Sequence, residues 1–521
     1  MAKSPPGATR HVELELKFAA PADGVSPCFA GLAAVSQVEQ QPTRHLDAVY
    51  FDTPNHDLAV NWVTLRRRTG GPDEGWHLKL PGADTGKGSG KKSGKSHATT
   101  PDTRTEVHAP LGGDHSAPLT GNHGGVPDEL LDIVRAIVRD RPLQPVARIF
   151  TTRDVTMLYG PDHAPLAEFC DDRVTASRLV GGLPEAEQQW REWELELVDA
   201  GVDGAADVLN RLANRIHDAG AAPAEHGSKL AKVLAETTPQ RPKPPSDPVH
   251  RAVAEQVAAL LVWDRAVRAD GDDAVHQMRV TIRQIRSLLQ ASEEEFGLTD
   301  DATILSELRE LAAVLGVARD AEVLTERYRD ALDALPPELI RGPVRQRLVD
   351  GGWQRYKSGL HRSLKAMRSA RYFRLLDALD AVVITSPPPD DDHPHATIAS
   401  GYKRVRKRVR AARAATSEHD LDEALHGIRK AAKRLRYVAA ATGARTVSER
   451  AKTIQNLLGD HQDSTVSRAH LLEQAAAAHA AGEDTFTYGV LYQREEELAD
   501  RCRAELDGAL AALKHSIRKA G

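Results

Sequence analysis

Residues 11–18 read HVELELKF: Val12, Leu14, Leu16 and Phe18 fall on one parity, and Glu13, Glu15 and Lys17 on the other. Alternation this strict predicts a β-strand with one apolar and one charged face. The same division returns along the chain. Arg66 and Arg68 oppose Val63 and Leu65, and His77 and Lys79 oppose Trp76, Leu78 and Leu80. Arg104 shares a face with Glu106, Glu168 with Asp172, and Glu192, Glu194 and Glu196 oppose Trp193, Leu195 and Leu197. Up to about residue 236 the pattern is thus short strands punctuated by Gly and Pro, with helical pieces such as DELLDIVRAIV and AADVLNRLANRI. The segment TTPQRPKPPSDP, 237–248, holds five prolines and reads as a semi-rigid linker. From about 249 to 515 the periodicity becomes that of long Ala-, Leu- and Arg-rich helices, and a second break, TSPPPDDDHP, separates halves of about 249–384 and 395–515. The expected class is α+β and multidomain: a strand-rich domain over 10–236 followed by an all-α one.

A solvated sheet face normally mixes both signs, so alternation alone leaves open whether these charged faces meet water or a shared interior. Segregation favours the interior. The first and last strands are rich in carboxylates, whereas the middle ones carry Arg and Lys. A closed barrel so lined offers carboxylates to a hard divalent cation beside bases for a polyanion, and a metal-bound chain of phosphates suits both.

The ordered set E-x-E-x-K (Glu13, Glu15, Lys17), YFDT (50–53), LRRR (65–68), HLKLP (77–81), RTE (104–106), ELEL (194–197) and SKL (228–230) resembles the CYTH family of triphosphate tunnel metalloenzymes over residues 10–235. The resemblance implies an eight-stranded antiparallel tunnel with flanking helices that holds a triphosphate together with Mg²⁺ or Mn²⁺. Carried over by position, Glu13, Glu15, Asp172, Glu194 and Glu196 are expected metal ligands, with Asp172 preferred to Asp171 because it keeps parity with Glu168. Lys17, Arg66, Arg68, Lys79, Arg104, Arg148 and Lys229 are expected phosphate ligands. Lys17 has activation of the attacking water as a second implied role, so it joins Glu13 and Glu15 as a catalytic candidate. Arg148 and Arg153 have opposite parity, so without a bulge only one faces inward, and Arg148 is the one expected there. The GKS within the basic stretch 82–102 is no phosphate-binding loop, because the motif needs glycine where Ser89 stands.

The helical part repeats. HQMRVTIRQIR begins at 276 and HGIRKAAKRLR at 426, each with His followed by bases at +3, +7 and +10. At 100° per residue these positions share a stripe of about 80°. His276, Arg279, Arg283 and Arg286 therefore form one ridge, and His426, Arg429, Lys433 and Arg436 another. A solvated face has no reason to fix that spacing twice. Downstream, LGVARDAEV (315–323) and LGDHQDSTV (458–466) share L-G-x-x-[RQ]-D-x-x-V. The arrangement resembles the CHAD domain, which implies binding of inorganic polyphosphate on a basic surface; Lys365, Arg368, Lys403, Arg404 and Arg408 are candidates to extend it. Arg319, Asp320 and Asp463 are either ligand contacts or ion-pair partners that orient the ridges. One histidine per ridge, without a carboxylate at ligand spacing, does not make a zinc site.

The bulk numbers narrow the partners. A chain of 521 residues needs two or three domains, and a net charge of −5 argues against general nucleic-acid binding. Few aromatic residues interleave with the bases, as stacking on single strands would require. Three separated cysteines make neither a disulfide framework nor a thiolate metal site. Neither a signal peptide nor a membrane-length apolar run is present, so the expected location is the cytoplasm, with polyphosphate granules as a site of association. The leading expectation is a metal-dependent triphosphatase acting on inorganic triphosphate. An organic triphosphate enzyme, for thiamine triphosphate or ATP with cyclase-like chemistry, and a non-catalytic polyphosphate-binding scaffold are the alternatives. Clustered carboxylates speak against the scaffold, because binding a polyanion alone does not need them.

Overall fold

The computed structural model describes residues 9–81, 102–111, 124–199, 204–240, 245, 247–291, 303–384, 398–441 and 443–520. The basic stretch before residue 102 and the break at 385–394 lie outside them, as does part of the proline-rich linker. The strands are β1 (Thr9–Ala19), β2 (Gln37–Gln40), β3 (Arg44–Asp52), β4 (Thr64–Thr69), β5 (Gly75–Pro81), β6 (Asp102–Ala109), β7 (Gln144–Tyr159), β8 (Pro165–Val180), β9 (Leu183–Leu197) and the short β10 (Ala222–Pro223). Eight of them run β1-β6-β5-β4-β3-β7-β8-β9, all antiparallel, and β9 pairs back onto β1, with Lys17 opposite Glu194. The expected eight-stranded barrel is therefore closed; β2 and β10 are added at its margins.

The barrel is inverted with respect to an ordinary one. Leu65, Trp76, Leu78, Leu80 and Val107 pack outward under α2 (Asp128–Val138), beside the single turn α1 (Asp57–Val60). On the opposite side Leu16, Phe18, Phe169, Trp193 and Leu195 pack outward under α3 (Ala205–Asp218). The apolar parity of each strand is thus satisfied by a helix outside the wall, which leaves the charged parity to the interior. Helix α4 (Lys229–Val233), capped by Ser228 accepting from the Ala231 N–H at 3.1 Å, packs Leu230 and Val233 on Ala48, Ile149, Val174 and Ala176. Those four wall residues share the inward parity, so α4 packs on the inner wall.

The remaining helices are α5 (Pro248–Arg268), α6 (Ala274–Ala291), α7 (Thr303–Asp333), α8 (Gly351–Met367), α9 (Ala370–Ile384), α10 (Ile398–Arg413), α11 (Glu418–Ala441), α12 (Arg445–Ala480) and α13 (Phe486–Ala520). Packing divides the chain into two compact units, residues 1–285 with 366–386, and 286–365 with 387–521. This differs from the division by composition, because α5 and α9 pack beside α2 through charged side chains. Buried Arg139 pairs with Asp377 and Asp380, Arg368 pairs with Asp132, and His250 Nε2 lies 2.9 Å from the Val382 carbonyl oxygen. In the second unit α7 and α8 cross closely at Gly359, where a Cβ would stand 2.7 Å from Ala318 N and 2.8 Å from its Cα. Gly359→Ala forces two backbones apart, and a loss of about 1–3 kcal/mol is expected in denaturant unfolding.

A candidate triphosphate tunnel and two basic ridges

The barrel interior is a cavity of about 340 Å³. Its lining includes Glu13, Glu15, Lys17, Arg66, Arg68, Lys79, Arg104, Glu194, Glu196 and Lys229, which brings ten of the twelve tunnel residues expected from sequence into one space. Arg148 is not among them. The inward parity of β7 is that of Ile149, Thr151 and Arg153, so Arg153 lines the cavity. Arg148 lies outside, paired with Asp47 at 2.6 Å and set 4.6 Å from the Phe150 ring centre. The choice of Arg148 is corrected to Arg153.

Asp172 faces inward but stands behind the lining with no exposed surface, and its oxygens receive Arg153 at 2.7 and 2.6 Å and Lys229 at 2.8 Å. Its place is to hold these two bases. Asp172, Glu192 and Glu194 converge closely enough to hold a cation, and Lys229 Nζ already sits among them, 2.6 Å from Glu192 and 2.7 Å from Glu194. Asp171, of the other parity, pairs outside the barrel with Arg191 at 2.6 Å.

The rest of the wall is a mesh of ion pairs. Lys17 donates to Glu15 at 2.5 Å and Lys79 to Glu13 at 2.6 Å. Burial opposes ionisation of Glu15, but Lys17 and Lys79 overcome it and hold the carboxyl below its usual range. Glu194 is held well below that range against its burial by Lys229 and Arg153. Glu106, likewise low despite its burial, is surrounded by Lys79, His11 and His77, with His11 Nε2 at 3.2 Å and His77 Nδ1 at 2.9 Å. Hydrogen bonds to Glu106 and Glu13 raise His11 to about 10, so it is an imidazolium at neutral pH. His77 is pushed down to about 3 by burial, with Arg66 and Arg68 adding to it, and is neutral. Tyr50 accepts from Arg66 at 3.3 Å; burial pushes its phenol up, yet Arg66, Lys229 and Lys79 bring it below its ordinary value. The Nε atoms of Arg66 and Arg68 are buried without a hydrogen-bond partner among the described residues.

One lining carboxylate differs. Glu196 has no ion-pair partner among the described residues. Burial, then Glu13, with Glu15 and Glu194, raises it to about 7. Like charges of this kind have the chemistry of a hard-cation site; among the described residues the groups whose ligand atoms already lie close enough to share an ion are His11, Glu13 and Glu106, and Asp172, Glu192 and Glu194, while Glu196 adds an unpaired carboxylate to the same lining.

Tyr50, Arg44, His11, Glu106 and Arg153 were not selected as ligands from sequence. Parity with Glu13 would have included His11, and parity with Arg104 would have included Glu106. Arg153 was hidden because β7 turns the apolar Ile149 inward against α4. The YFDT motif divides between roles: Tyr50 lines the tunnel, while buried Asp52 accepts from the N–H groups of Thr53, Leu58 and Ala59 at 2.7–2.9 Å and caps α1.

The ridges lie on α6 and α11, and all eight of their side chains are half-buried. On α11, Arg436 donates to Gln455 at 3.0 Å, and its guanidinium stands 5.3 Å from the Tyr437 ring centre. Arg429 lies over Gly459 of the second LG motif, within 3.6 Å of a built Cβ. Burial lowers His426, aided by Lys430 and Arg429, so it brings hydrogen bonding rather than charge to its ridge. Asp463 is raised by burial, against Arg429 and Arg327. Arg319 pairs with Glu322 at 2.8 Å on its own helix. Lys365, Lys403, Arg404 and Arg408 are exposed, whereas Arg368 is engaged by Asp132. No described helix is long and apolar enough to cross a membrane.

The CYTH domain matches residues 11–215 and the CHAD domain residues 251–472. The uncharacterized protein MT2285 of Mycobacterium tuberculosis (strain CDC 1551 / Oshkosh) is 59% identical over 533 residues, covering 99% of this chain and 99% of that protein. Among solved structures, PptA from Streptomyces chartreusis is similar at 20% identity and a TM-score of 0.42, over 51% of this chain and 99% of its own. The CHAD domain from the plant Ricinus communis is similar at 22% identity and a TM-score of 0.39, over 51% of this chain and 90% of its own. CYTH domains are those of the triphosphate tunnel metalloenzymes, which depend on a metal. With a closed charged tunnel followed by a helical region bearing repeated basic ridges, the chain belongs to the CYTH–CHAD family.

Proposed function

We propose that the tunnel hydrolyses inorganic triphosphate with Mg²⁺ or Mn²⁺, and that the helical ridges bind inorganic polyphosphate. The observation that carries the first part is the inverted wall, which turns bases and carboxylates together into one enclosed cavity. Arg66, Lys79, Arg104, Arg153, Lys17 and Lys229 are the phosphate ligands. Pairs with wall carboxylates for Lys17, Arg66, Lys79, Arg153 and Lys229, and the Gly227 carbonyl for Arg104, fix their directions before substrate arrives, so little reorganisation is left for the reaction. The Nε of Arg66, without a partner among the described residues, is a donor in reserve for a phosphate oxygen. Glu106 holds His77 and Arg66 in one fan, and the His11 imidazolium, its Nε2 engaged by Glu106 and Glu13, adds positive charge to the wall. Glu13, Glu15, Glu194 and Glu196 would hold the metal, which when bound polarises the terminal phosphoryl group and orients a water for in-line attack. Among the described lining residues Tyr50 is the one aromatic carbocycle, and its engagement by Arg66 favours an inorganic substrate.

Phosphate release from triphosphate, ATP and thiamine triphosphate with each metal tests this reading. Triphosphate should exceed both organic substrates in kcat/KM by at least about tenfold; parity or inversion would transfer the tunnel to an organic substrate. For the ridges, joint replacement of Arg279, Arg283, Arg429 and Lys433 by Ala should weaken polyphosphate binding at least about tenfold and flatten its salt dependence. Unchanged affinity would remove the assignment.

A further inference from the structure

The turn between β4 and β5, residues 70–74, carries an aspartate, Asp73. Asp73 lines the tunnel, and its carboxylate pairs with Arg68, whose side chain is 7% exposed. Its backbone carbonyl lies 3.0 Å from His77 Nε2 and 3.4 Å from Arg68. The turn is bent by Gly70 and Gly71, at φ +78° and +85°, and is pressed so closely on β3 that a Cβ at Gly70 would stand 2.1 Å from the His45 carbonyl oxygen. The Asp73 side chain is 56% exposed, and its carboxylate is held by the pair with Arg68.

Its position in the barrel gives it a meaning. Arg68 and the following turn stand at the end of β4 remote from Thr64, and Arg68 lies opposite Gly75 at the start of β5. Helix α4 packs on Ala48, Ile149, Val174 and Ala176; Ala48 stands opposite Arg68 in the β3–β4 register, and the turn 70–74 continues from Arg68 away from Arg66 and Thr64. A phosphate chain seated among Arg66, Lys79, Arg153 and Lys229 that extends past Arg68 reaches this turn. A further phosphate in that direction meets a carboxylate, and the base beside it is already neutralised.

We infer that Asp73, paired with Arg68, limits the tunnel to a chain of three phosphates by repelling the next one. This rests on the triphosphate reading above and adds the length of the substrate to it. It also separates the two proposed activities of the chain: long polyphosphate belongs to the ridges and is excluded from the tunnel.

The test is kcat/KM for linear triphosphate and linear tetraphosphate in the full chain, for the wild type, Asp73→Asn and Glu74→Gln. Glu74→Gln removes a charge from the same turn without touching the lining. The wild type should favour triphosphate by at least about tenfold, like-charge repulsion being of that order. Asp73→Asn should bring the two substrates within about threefold by raising the value for tetraphosphate, and Glu74→Gln should keep the wild-type ratio. A ratio unchanged in Asp73→Asn, or shifted equally by Glu74→Gln, overturns the inference while leaving triphosphate hydrolysis intact. A wild type that releases phosphate from neither substrate overturns the hydrolytic reading and this inference together.

Discussion

Lys229→Ala is expected to lower kcat/KM for triphosphate by about 10²–10³ and to cost about 3–5 kcal/mol in stability. Both effects have one origin. The ammonium stands within 2.8 Å of Asp172, Glu192 and Glu194, and burial, which opposes its charge, is overcome by those three carboxylates, so it stays protonated far above neutral pH. Removing it leaves three buried like charges without their common cation and takes a phosphate ligand from the lining. The two consequences separate in a double variant. Lys229→Ala with Asp172→Asn reduces the uncompensated charge and should recover a good part of the melting temperature, but not the activity, since Asp172 does not line the cavity. Recovery of kcat/KM along with stability would make Lys229 a purely structural residue.

Much of this site was legible from alternation, and the exceptions have physical causes. Wherever a helix covers the outer wall, as α2 covers β5 and α3 covers β9, apolar and charged parities read directly as outside and inside. On β7 the rule fails because α4 enters the barrel and needs an apolar partner, so Ile149 faces inward beside Arg153 while Arg148 takes Asp47 outside. Asp172 shows a second limit: parity placed it inward, but depth behind Arg153 and Lys229 is set by neighbouring strands and by α4, which no single strand's pattern contains. The linker pattern likewise reflects composition, whereas Arg139, Asp377 and Asp380 tie α2 to α9 across more than two hundred residues of sequence.

Glu196→Gln should abolish metal-dependent turnover, by at least about 100-fold, without weakening the fold. Glu196 has no cation to lose, and its carboxyl is raised to about 7 by burial and by Glu13, Glu15 and Glu194. The sign follows from linkage. With a folded value above the unfolded value of about 4.5, the folded state holds the extra proton between the two, so stability falls as pH rises through that window and the penalty is complete above about 7. Glutamine mimics the protonated form. In the presence of a chelator, the variant should therefore be about 2–3 kcal/mol more stable than the wild type at pH 8 and equal to it at pH 4. An equal stability at pH 8 would mean that the four carboxylates do not crowd one another.

The most direct measurement is the initial rate of phosphate release from inorganic triphosphate with Mg²⁺ or Mn²⁺, taken on the wild type and Glu196→Gln side by side. The inverted tunnel predicts metal-dependent release by the wild type and a loss of at least about 100-fold in a variant that folds as well or better. Equal release by the two proteins, or none by the wild type with either metal, would contradict it.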